Sequence, residues 1–343
     1  MKQNVGKVDR WIRIVVGVLV LSLLVFVNLA NTVSEFAGVA ASLEIFGVSK
    51  YISVPVAAIL VWLLITRGNY ESVEKIFLVA SAIYLAYVVS GILARPDWGE
   101  VGQSLVTPSF QWNAGYITLF VTIIGTTIAP WMQFYQQSSI ADKGIKPAYY
   151  KYERVDVVFG SLFAVFVAAF IMIACAATLY KNGIVIHSAE DAAVALRPLA
   201  GRYASILFAL GLLNASVFAA AILPLSTAYT VAEAFGWESS LSRNFREAPI
   251  FFTIFTSLIV LGALIVLLPI KSLIQAMIFS QTLNGILLPV ILVFILVLIN
   301  DRRIMGKHVN SPAFNVLAWL TVVILTILAL ILVITTFFPS LVN

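Results

Sequence analysis

Long apolar runs, separated by short polar segments, dominate the chain and predict helices that cross a membrane. Nine runs approach or exceed the length of one crossing, at about residues 14–38, 52–66, 73–94, 116–140, 157–180, 204–235, 250–268, 273–299 and 314–338. A helix needs about 20 apolar residues to span a bilayer. Within lipid its backbone satisfies its own hydrogen bonds. The pattern therefore predicts an all-α polytopic membrane protein with about nine transmembrane helices.

Composition supports this class and excludes several others. Hydrophobic residues make up 61% of the chain and charged residues 11%, which no soluble domain of this size shows. The formal net charge of +5 does not indicate nucleic-acid binding, because the basic residues lie in short loops beside apolar runs. A single cysteine, Cys175, excludes an internal disulfide, and both histidines, His187 and His308, fall in predicted loops. No nucleophile–base pair or phosphate-binding loop is present, so we expect neither an enzyme nor a cofactor.

Basic residues are unevenly distributed between alternate loops and predict the orientation in the membrane. We expect the N-terminus in the cytoplasm, because this places the richer loops inside. The inner loops then hold Arg67, Lys143, Lys146, Lys151, Arg154, Arg243, Arg246, Arg302, Arg303 and Lys307. The outer loops hold Lys50, Arg95, Lys181, Arg197, Arg202 and Lys271. A prokaryotic plasma membrane is the expected location, with the C-terminus outside.

One apolar run is interrupted by the sequence Gly125-Thr126-Thr127-Ile128-Ala129-Pro130. Proline cannot donate a hydrogen bond to the preceding turn, and glycine and threonine further weaken a helix. The segment predicts a broken helix, with one half before Thr126, the other after Pro130, and exposed carbonyls between them. In transporters such breaks hold ions near the middle of the membrane. The alternative is a simple proline kink packed against neighbouring helices.

Other polar side chains at membrane depth are candidates for a transport pathway. An acidic residue there, Glu35, is a functional candidate by default, although it could instead form a hydrogen bond to a neighbouring helix. Gln133 could line a wet vestibule or mark where its helix enters water. Gln281 and Asn284 carry amides that need hydrogen-bonding partners in a membrane. These residues alone indicate a transporter or channel with a polar site near the middle of the membrane.

Three strings, at residues 31–38, 125–130 and 280–306, resemble segments of the Nramp family of divalent-metal transporters. The string Asn-Thr-Val-Ser-Glu35-Phe-Ala-Gly38 resembles their third helix, and Gly125 to Pro130 resembles their broken sixth helix. Ser280-Gln281, Leu288-Pro289 and the string Asn-Asp-Arg-Arg-Ile-Met-Gly at 300–306 resemble their tenth helix and its exit loop. The resemblance implies a partial LeuT-like (APC) fold of inverted repeats. Residues 1–111 would be the remainder of the first repeat, 112–299 the second, and 300–343 the exit loop and final helix.

The family's metal site, carried over by this resemblance, comprises Thr126, Ala129 and Gln281, with Trp131 nearby in the pathway. Ala129 stands where the family has a methionine, Thr126 where it has an alanine, and Trp131 where it has a histidine. Loss of the soft thioether removes a preference for transition metals, and Mg²⁺ keeps its waters and prefers oxygen ligands. The pattern therefore resembles the Nramp-related magnesium transporters, which also carry Mn²⁺. A proton-path aspartate expected near Thr32 is absent, which favours transport without proton coupling.

The family's first helix carries an Asp-Pro-Gly motif that supplies a charged metal ligand, and these 343 residues contain no such motif. By this resemblance the first two helices are expected to be missing. We therefore weigh three hypotheses. The chain is an Mg²⁺/Mn²⁺ transporter whose missing helices come from a longer reading frame or another polypeptide; or a same-fold transporter of an organic or anionic substrate; or a truncated or non-transporting membrane subunit. The expected partners are a divalent metal ion and the lipid bilayer, without nucleic acid.

Overall fold

The computed structural model describes residues 2–67, 75, 79–107, 109–269 and 272–337, with side chains described between residues 15 and 334 of these ranges. Helices account for most of the described chain. In order they are α1 (Lys2–Glu44), α2 (Lys50–Arg67), α3 (Leu85–Leu93), α4 (Trp98–Val106), α5 (Ala114–Thr127), α6 (Pro130–Asp142), α7 (Tyr150–Thr178), α8 (Ala204–Phe235), α9 (Pro249–Leu267), α10 (Leu273–Asn300) and α11 (Pro312–Phe337). Short helical turns such as Ala189–Ala193 and Arg302–Met305 lie in the connections.

Eight segments of the described chain are long and apolar enough to cross a membrane. They are Val15–Glu44, Lys50–Arg67, Ala114–Asp142, Pro147–Asn182, Ala189–Phe235, Pro249–Leu267, Leu273–Asn300 and Pro312–Ile334. These correspond to eight of the nine predicted runs. The run predicted at 73–94 begins mostly outside the described residues and continues as the shorter apolar helix Ser81–Leu93. The end of the last run, at 338, also lies outside them.

By internal packing the chain divides into two compact units, and the boundaries between them fall within the sequences of α1, α6 and α10, as well as between residues 110 and 111. The first unit comprises Met1–Ala30, Gln111–Phe134 and Ile278–Asn343, and the second comprises Asn31–Phe110 and Tyr135–Met277. The repeat boundaries expected at residues 111 and 299 stay a prediction.

Helix α5 lies between α10 and α11 in the first unit. Ile117 and Val121 of α5 pack with Leu328 and Leu332 of α11 in a buried apolar cluster. A second cluster joins α1 and α10 through side chains that include Leu24 and Ile291. Buried apolar contacts therefore hold α11 against α5 and α10 against α1, all within the first unit.

A larger apolar core in the second unit joins the end of α1 to α2, α8 and α9. Phe36, Tyr229 and Phe251 are each at most 2% exposed in this core. Polar contacts reinforce it, because the Trp62 indole donates to the Thr256 hydroxyl at 2.9 Å. The Lys50 ammonium donates to the carbonyls of Val266 and Leu268, at 2.8 and 2.7 Å. A cation there also interacts favourably with the helix dipole at the end of α9.

The buried Tyr229 hydroxyl joins three separate segments of the second unit. It donates to Asp142 Oδ2 at 2.7 Å, and the Leu241 backbone N–H donates to the same carboxylate oxygen at 3.2 Å. Asp142 ends α6, Tyr229 lies in α8, and Leu241 lies in the loop after α8. This hydrogen-bonded group therefore fixes the end of α6 against α8.

We expect Tyr229→Phe to lower the free energy of unfolding by about 2 kcal/mol, because it removes a hydrogen bond to a charged, partly buried acceptor. Thermal unfolding of the purified protein in detergent measures the change. Tyr180→Phe is the matched control, since Tyr180 is 86% exposed and its change should be near zero. Equal midpoints for the two variants would contradict a stabilising role for the Tyr229 hydroxyl.

Candidate metal site at the helix break

The break between α5 and α6 lies within the predicted segment but is shorter than expected. Helix α5 continues through Thr126 to Thr127, and α6 begins at Pro130, so only Ile128 and Ala129 are non-helical. Ile128 departs from helical geometry with φ −129° and ψ 75°. Pro130 opens α6, where its missing N–H costs nothing because the first N–H groups of a helix have no internal acceptor.

The break leaves backbone oxygens without a donor within the helix. Continuation of α5 would pair the Thr126 carbonyl with the N–H of residue 130, but proline has none. The last carbonyls of a helix have no internal partner for the same geometric reason. The Ile124 carbonyl is satisfied, since the Ile128 N–H donates to it at 2.9 Å. Thr126 therefore offers a backbone carbonyl as well as an exposed side-chain hydroxyl at the break.

Two glycines bring the end of α5 into backbone contact with α10. A Cβ on Gly125 would collide with the Gln281 carbonyl and the Gly285 N–H, and it would lie 2.8 Å from Gly285 Cα. A Cβ on Gly285 would in turn collide with the Val121 carbonyl and lie 2.7 Å from a Val121 methyl carbon. Only small residues allow such an approach between membrane helices. Thr126 directly follows Gly125 in the chain, and Gly125 contacts the turn of α10 that carries Gln281.

Polar side chains on α10 reinforce the same contact. The hydroxyls of Thr122 and Thr282 are 2.7 Å apart, across the interface between α5 and α10. On α10 the buried Asn284 amide donates to Gln281 Oε1 at 3.0 Å, and the Gln281 amide is 3.3 Å from the Ser280 hydroxyl. Asn284 therefore orients Gln281, whose Oε1 accepts this hydrogen bond.

The remaining candidates in the first unit lie at the start of α6. Ala129 is 2% exposed, and its backbone carbonyl accepts from the Met132 N–H at 3.1 Å. With its amide nitrogen turned inward, Gln133 donates to the carbonyls of Ala129 and Pro130, at 2.9 and 2.7 Å. Its amide is thus engaged at the break, and its role in a pathway stays a prediction. Trp131, two residues before Gln133, is partly buried.

Glu35 lies in the second unit, on the second half of α1, and is partly buried. The Tyr84 hydroxyl belongs to the same unit. Asn214 of α8 donates to that hydroxyl at 3.1 Å, and the hydroxyl lies 3.3 Å from the Gly211 carbonyl. One turn after Glu35, a Cβ on Gly38 would collide with the Ser216 hydroxyl. Glu35 therefore lies one turn from a close contact between α1 and Ser216 of α8.

Among the described residues, no three His, Cys, Asp or Glu side chains form a group that could hold a metal ion. The oxygens near the break are neutral. A site of this kind suits a hard, partly hydrated cation better than a soft one, since carbonyl and amide oxygens are hard ligands.

Sequence reasoning missed the contacts between α5 and α10 around the candidate residues. The pairing of Gly125 with Gly285 and the Thr122–Thr282 hydrogen bond were not anticipated. The amino-acid sequence indicates only part of these contacts. Gly285 lies within an apolar run, four residues after Gln281 and four before Pro289. A glycine there indicates a close approach of another helix. The sequence does not identify which helix that is.

These features define an integral membrane protein with several apolar helices, in which one helix is broken and packs tightly against another. A profile of the Nramp family, described as natural resistance-associated macrophage protein-like, matches residues 5–335. The chain belongs to this family.

Curated relatives are consistent with this membership. The divalent metal cation transporter MntH of Caldanaerobacter subterraneus subsp. tengcongensis is 29% identical over 243 residues, which are 69% of this chain and 55% of the relative. The protein of the same name from Bacillus subtilis is 24% identical over 322 residues, 91% of this chain and 73% of the relative. A third, from Clostridium acetobutylicum, is 25% identical and is covered over 58% of its length. The chain thus spans a little over half of the first and third of these relatives.

A solved structure shows the fold. The manganese transporter of Eremococcus coleocola, crystallised with an aromatic bis-isothiourea compound, matches 92% of this chain with a TM-score of 0.71 at 22% identity. The match covers 70% of that protein. The all-α, LeuT-like fold expected from the sequence is therefore confirmed.

Proposed function

We propose that this chain transports divalent metal cations across a membrane by alternating access around the break at Ile128–Ala129. The observation that carries the proposal is the break itself, which deprives the Thr126 carbonyl of its helical donor next to Gly125, the residue packed against the Gln281 turn of α10. Discontinuous helices are the usual place where transporters bind ions. The names of the relatives, divalent metal cation transporters, point to the same class of substrate.

The proposed ligands are oxygens of Thr126, Ala129 and Gln281, with Asn284 holding Gln281 in position. Carbonyl, hydroxyl and amide oxygens without a thioether favour Mg²⁺, which keeps part of its hydration shell, and Mn²⁺ is the second expected substrate. Trp131, Gln133 and Glu35 are proposed to line the pathway. Without an aspartate near Thr32, we propose that transport is not coupled to protons.

Neutral oxygens alone offset little of the cost of dehydrating a dication. We therefore propose that a carboxylate from outside these 343 residues completes the site, as the family's Asp-Pro-Gly helix does. The proposed arrangement has residues 1–111 in one inverted repeat, 112–299 in the second, and 300–343 after them. The N-terminus is proposed to face the cytoplasm of a prokaryotic cell.

Flux into proteoliposomes tests the proposal. The chain is reconstituted alone and together with a polypeptide that carries the first two helices of a family member. Entry of Mg²⁺ and Mn²⁺ is followed with the internal pH. Metal entry without acidification in either preparation supports uncoupled transport. Acidification that accompanies metal entry would overturn the proposed lack of coupling. If neither preparation takes up metal, a non-transporting subunit is favoured. Uptake of an organic anion instead of metal would favour a transporter of the same fold with an organic or anionic substrate.

We expect Gln281→Ala to slow metal uptake roughly ten-fold, because loss of one oriented ligand costs about 1.4 kcal/mol. Initial rates in the preparation that transports provide the measurement. Gln103→Ala is the control, since Gln103 is an exposed amide on α4, and it should leave the rate unchanged. An unaltered rate in the Gln281 variant, with the protein still folded, would remove Gln281 from the pathway.

A further inference from the structure

A concavity of about 400 Å³ lies where α6 turns into α7. Its walls include two lysines, Lys143 and Lys146, two tyrosines, Tyr149 and Tyr152, and one carboxylate, Glu153. The proposed metal pathway does not use these residues.

The backbone around this concavity is fixed at both ends. Gly144 adopts a left-handed conformation with φ 63°. The N–H groups of Gly144 and Ile145 donate to the carbonyls of Ala141 and Ile140, at 3.1 and 3.2 Å. This arrangement closes the end of α6. The short turn Pro147–Tyr149 then leads directly into α7, so the two lysines are held on ordered backbone.

The local charge favours an anion. Residues 142–156 include four basic and three acidic side chains, of which Asp142 accepts from Tyr229 and Leu241, and they overlap the start of the candidate span Pro147–Asn182. Clusters of basic residues at such a position attract anionic lipid headgroups. Tyrosines are enriched at the same depth, where the bilayer meets water. The rings of Tyr149 and Tyr152 are 6.4 Å apart, at the edge of the concavity.

An exposed apolar stripe continues from the concavity along α7 and distinguishes a lipid from a soluble anion. Tyr152 begins this stripe, and at intervals of three and four residues it continues through Val155, Phe159, Leu162 and Phe166, which are 67, 70, 66 and 47% exposed. Residues at this spacing share one helix face. A molecule with its phosphate between the lysines would thus have an apolar surface directly below it.

We propose that this concavity binds the phosphate headgroup of an anionic phospholipid whose acyl chains lie along the stripe on α7. Lys143 and Lys146 contact the phosphate, and the tyrosine rings lie at the glycerol level. Glu153 opposes the phosphate and limits the affinity of the site. The lipid would thereby be held at the end of α6, the half-helix that follows the break.

Native mass spectrometry of the full chain, released from nanodiscs with equal amounts of phosphatidylglycerol and phosphatidylcholine, tests this proposal. We expect preferential retention of phosphatidylglycerol. The Lys143→Gln/Lys146→Gln variant should lower this retention by about five-fold per lysine, since one basic side chain near an anionic surface contributes about 1 kcal/mol. Glu153→Gln should raise it, because the opposing carboxylate is removed.

The control variant Lys181→Gln/Arg197→Gln removes two exposed positive charges beyond the opposite end of α7, and it should retain as much phosphatidylglycerol as the parent. Equal loss in both double variants would show only a general charge effect and overturn the proposal. Equal retention of the two lipids would also overturn it. Displacement of the lipid by excess sn-glycerol 3-phosphate would assign the site to a soluble anion instead, whereas continued retention supports a lipid.

Discussion

Replacing Gly125 with alanine is expected to destabilise the protein by about 3 kcal/mol, because the new methyl group has no space. It would overlap the Gln281 carbonyl and the Gly285 N–H, which are backbone atoms and cannot move as a flexible side chain could. The helices α5 and α10 would have to separate, and the Thr122–Thr282 hydrogen bond of 2.7 Å would lengthen. This loss is measured as the change in the thermal unfolding midpoint in detergent, with size-exclusion chromatography as the readout.

Gly160→Ala provides a matched control on α7. Gly160 is also a helical glycine, but no atom lies within 4 Å of a Cβ built on it. Alanine there should stabilise the protein slightly, by up to about 1 kcal/mol, through its higher helix propensity. Gly285→Ala should behave like Gly125→Ala, since its Cβ meets the Val121 carbonyl. Equal unfolding midpoints for Gly125→Ala, Gly285→Ala and Gly160→Ala would contradict the close contact between α5 and α10.

The positions of the long helices could be predicted from apolar runs, because lipid requires continuous apolar surface and a self-satisfied backbone. The break was predictable for a similar reason. Proline at 130 removes one N–H, and two threonines and a glycine before it lower helix propensity. Its length was not predictable. Helix α5 persists through Thr126 to Thr127, where packing on α10 outweighs weak propensity.

The contacts that assemble the site could not be predicted from the sequence. A glycine at 285 indicates a close approach without naming its partner, because any of several helices could supply the opposite backbone. Likewise Gln133 has the same sequence signal whether it faces a vestibule or folds back on the break. The structure has its amide within 2.9 Å of the Ala129 carbonyl. Such choices depend on tertiary geometry rather than on local periodicity.

Thr126→Ala combined with Ala129→Met is expected to shift transport from Mg²⁺ toward Mn²⁺ by roughly ten-fold, which corresponds to about 1.4 kcal/mol of selectivity. The exchange removes a hydroxyl and adds a thioether, a soft ligand that favours transition metals. Ala129 is only 2% exposed, so the longer side chain must either reach the site or crowd its neighbours. Competition between Mn²⁺ and Mg²⁺ in the transporting preparation gives the selectivity ratio.

A second variant, Thr126→Ala with Ala129→Leu, separates the effect of side-chain size at position 129 from the effect of the sulfur ligand. Leucine fills a similar volume without sulfur, so it carries the same crowding but no soft ligand. We expect the methionine variant alone to gain Mn²⁺ selectivity, while both lose some Mg²⁺ rate because the Thr126 hydroxyl is gone. Equal ratios in the two variants would mean that sulfur at position 129 does not reach the ion. An unchanged Mg²⁺ rate in both would place Thr126 outside the site, because its exposed hydroxyl is the polar group that both variants remove from the break.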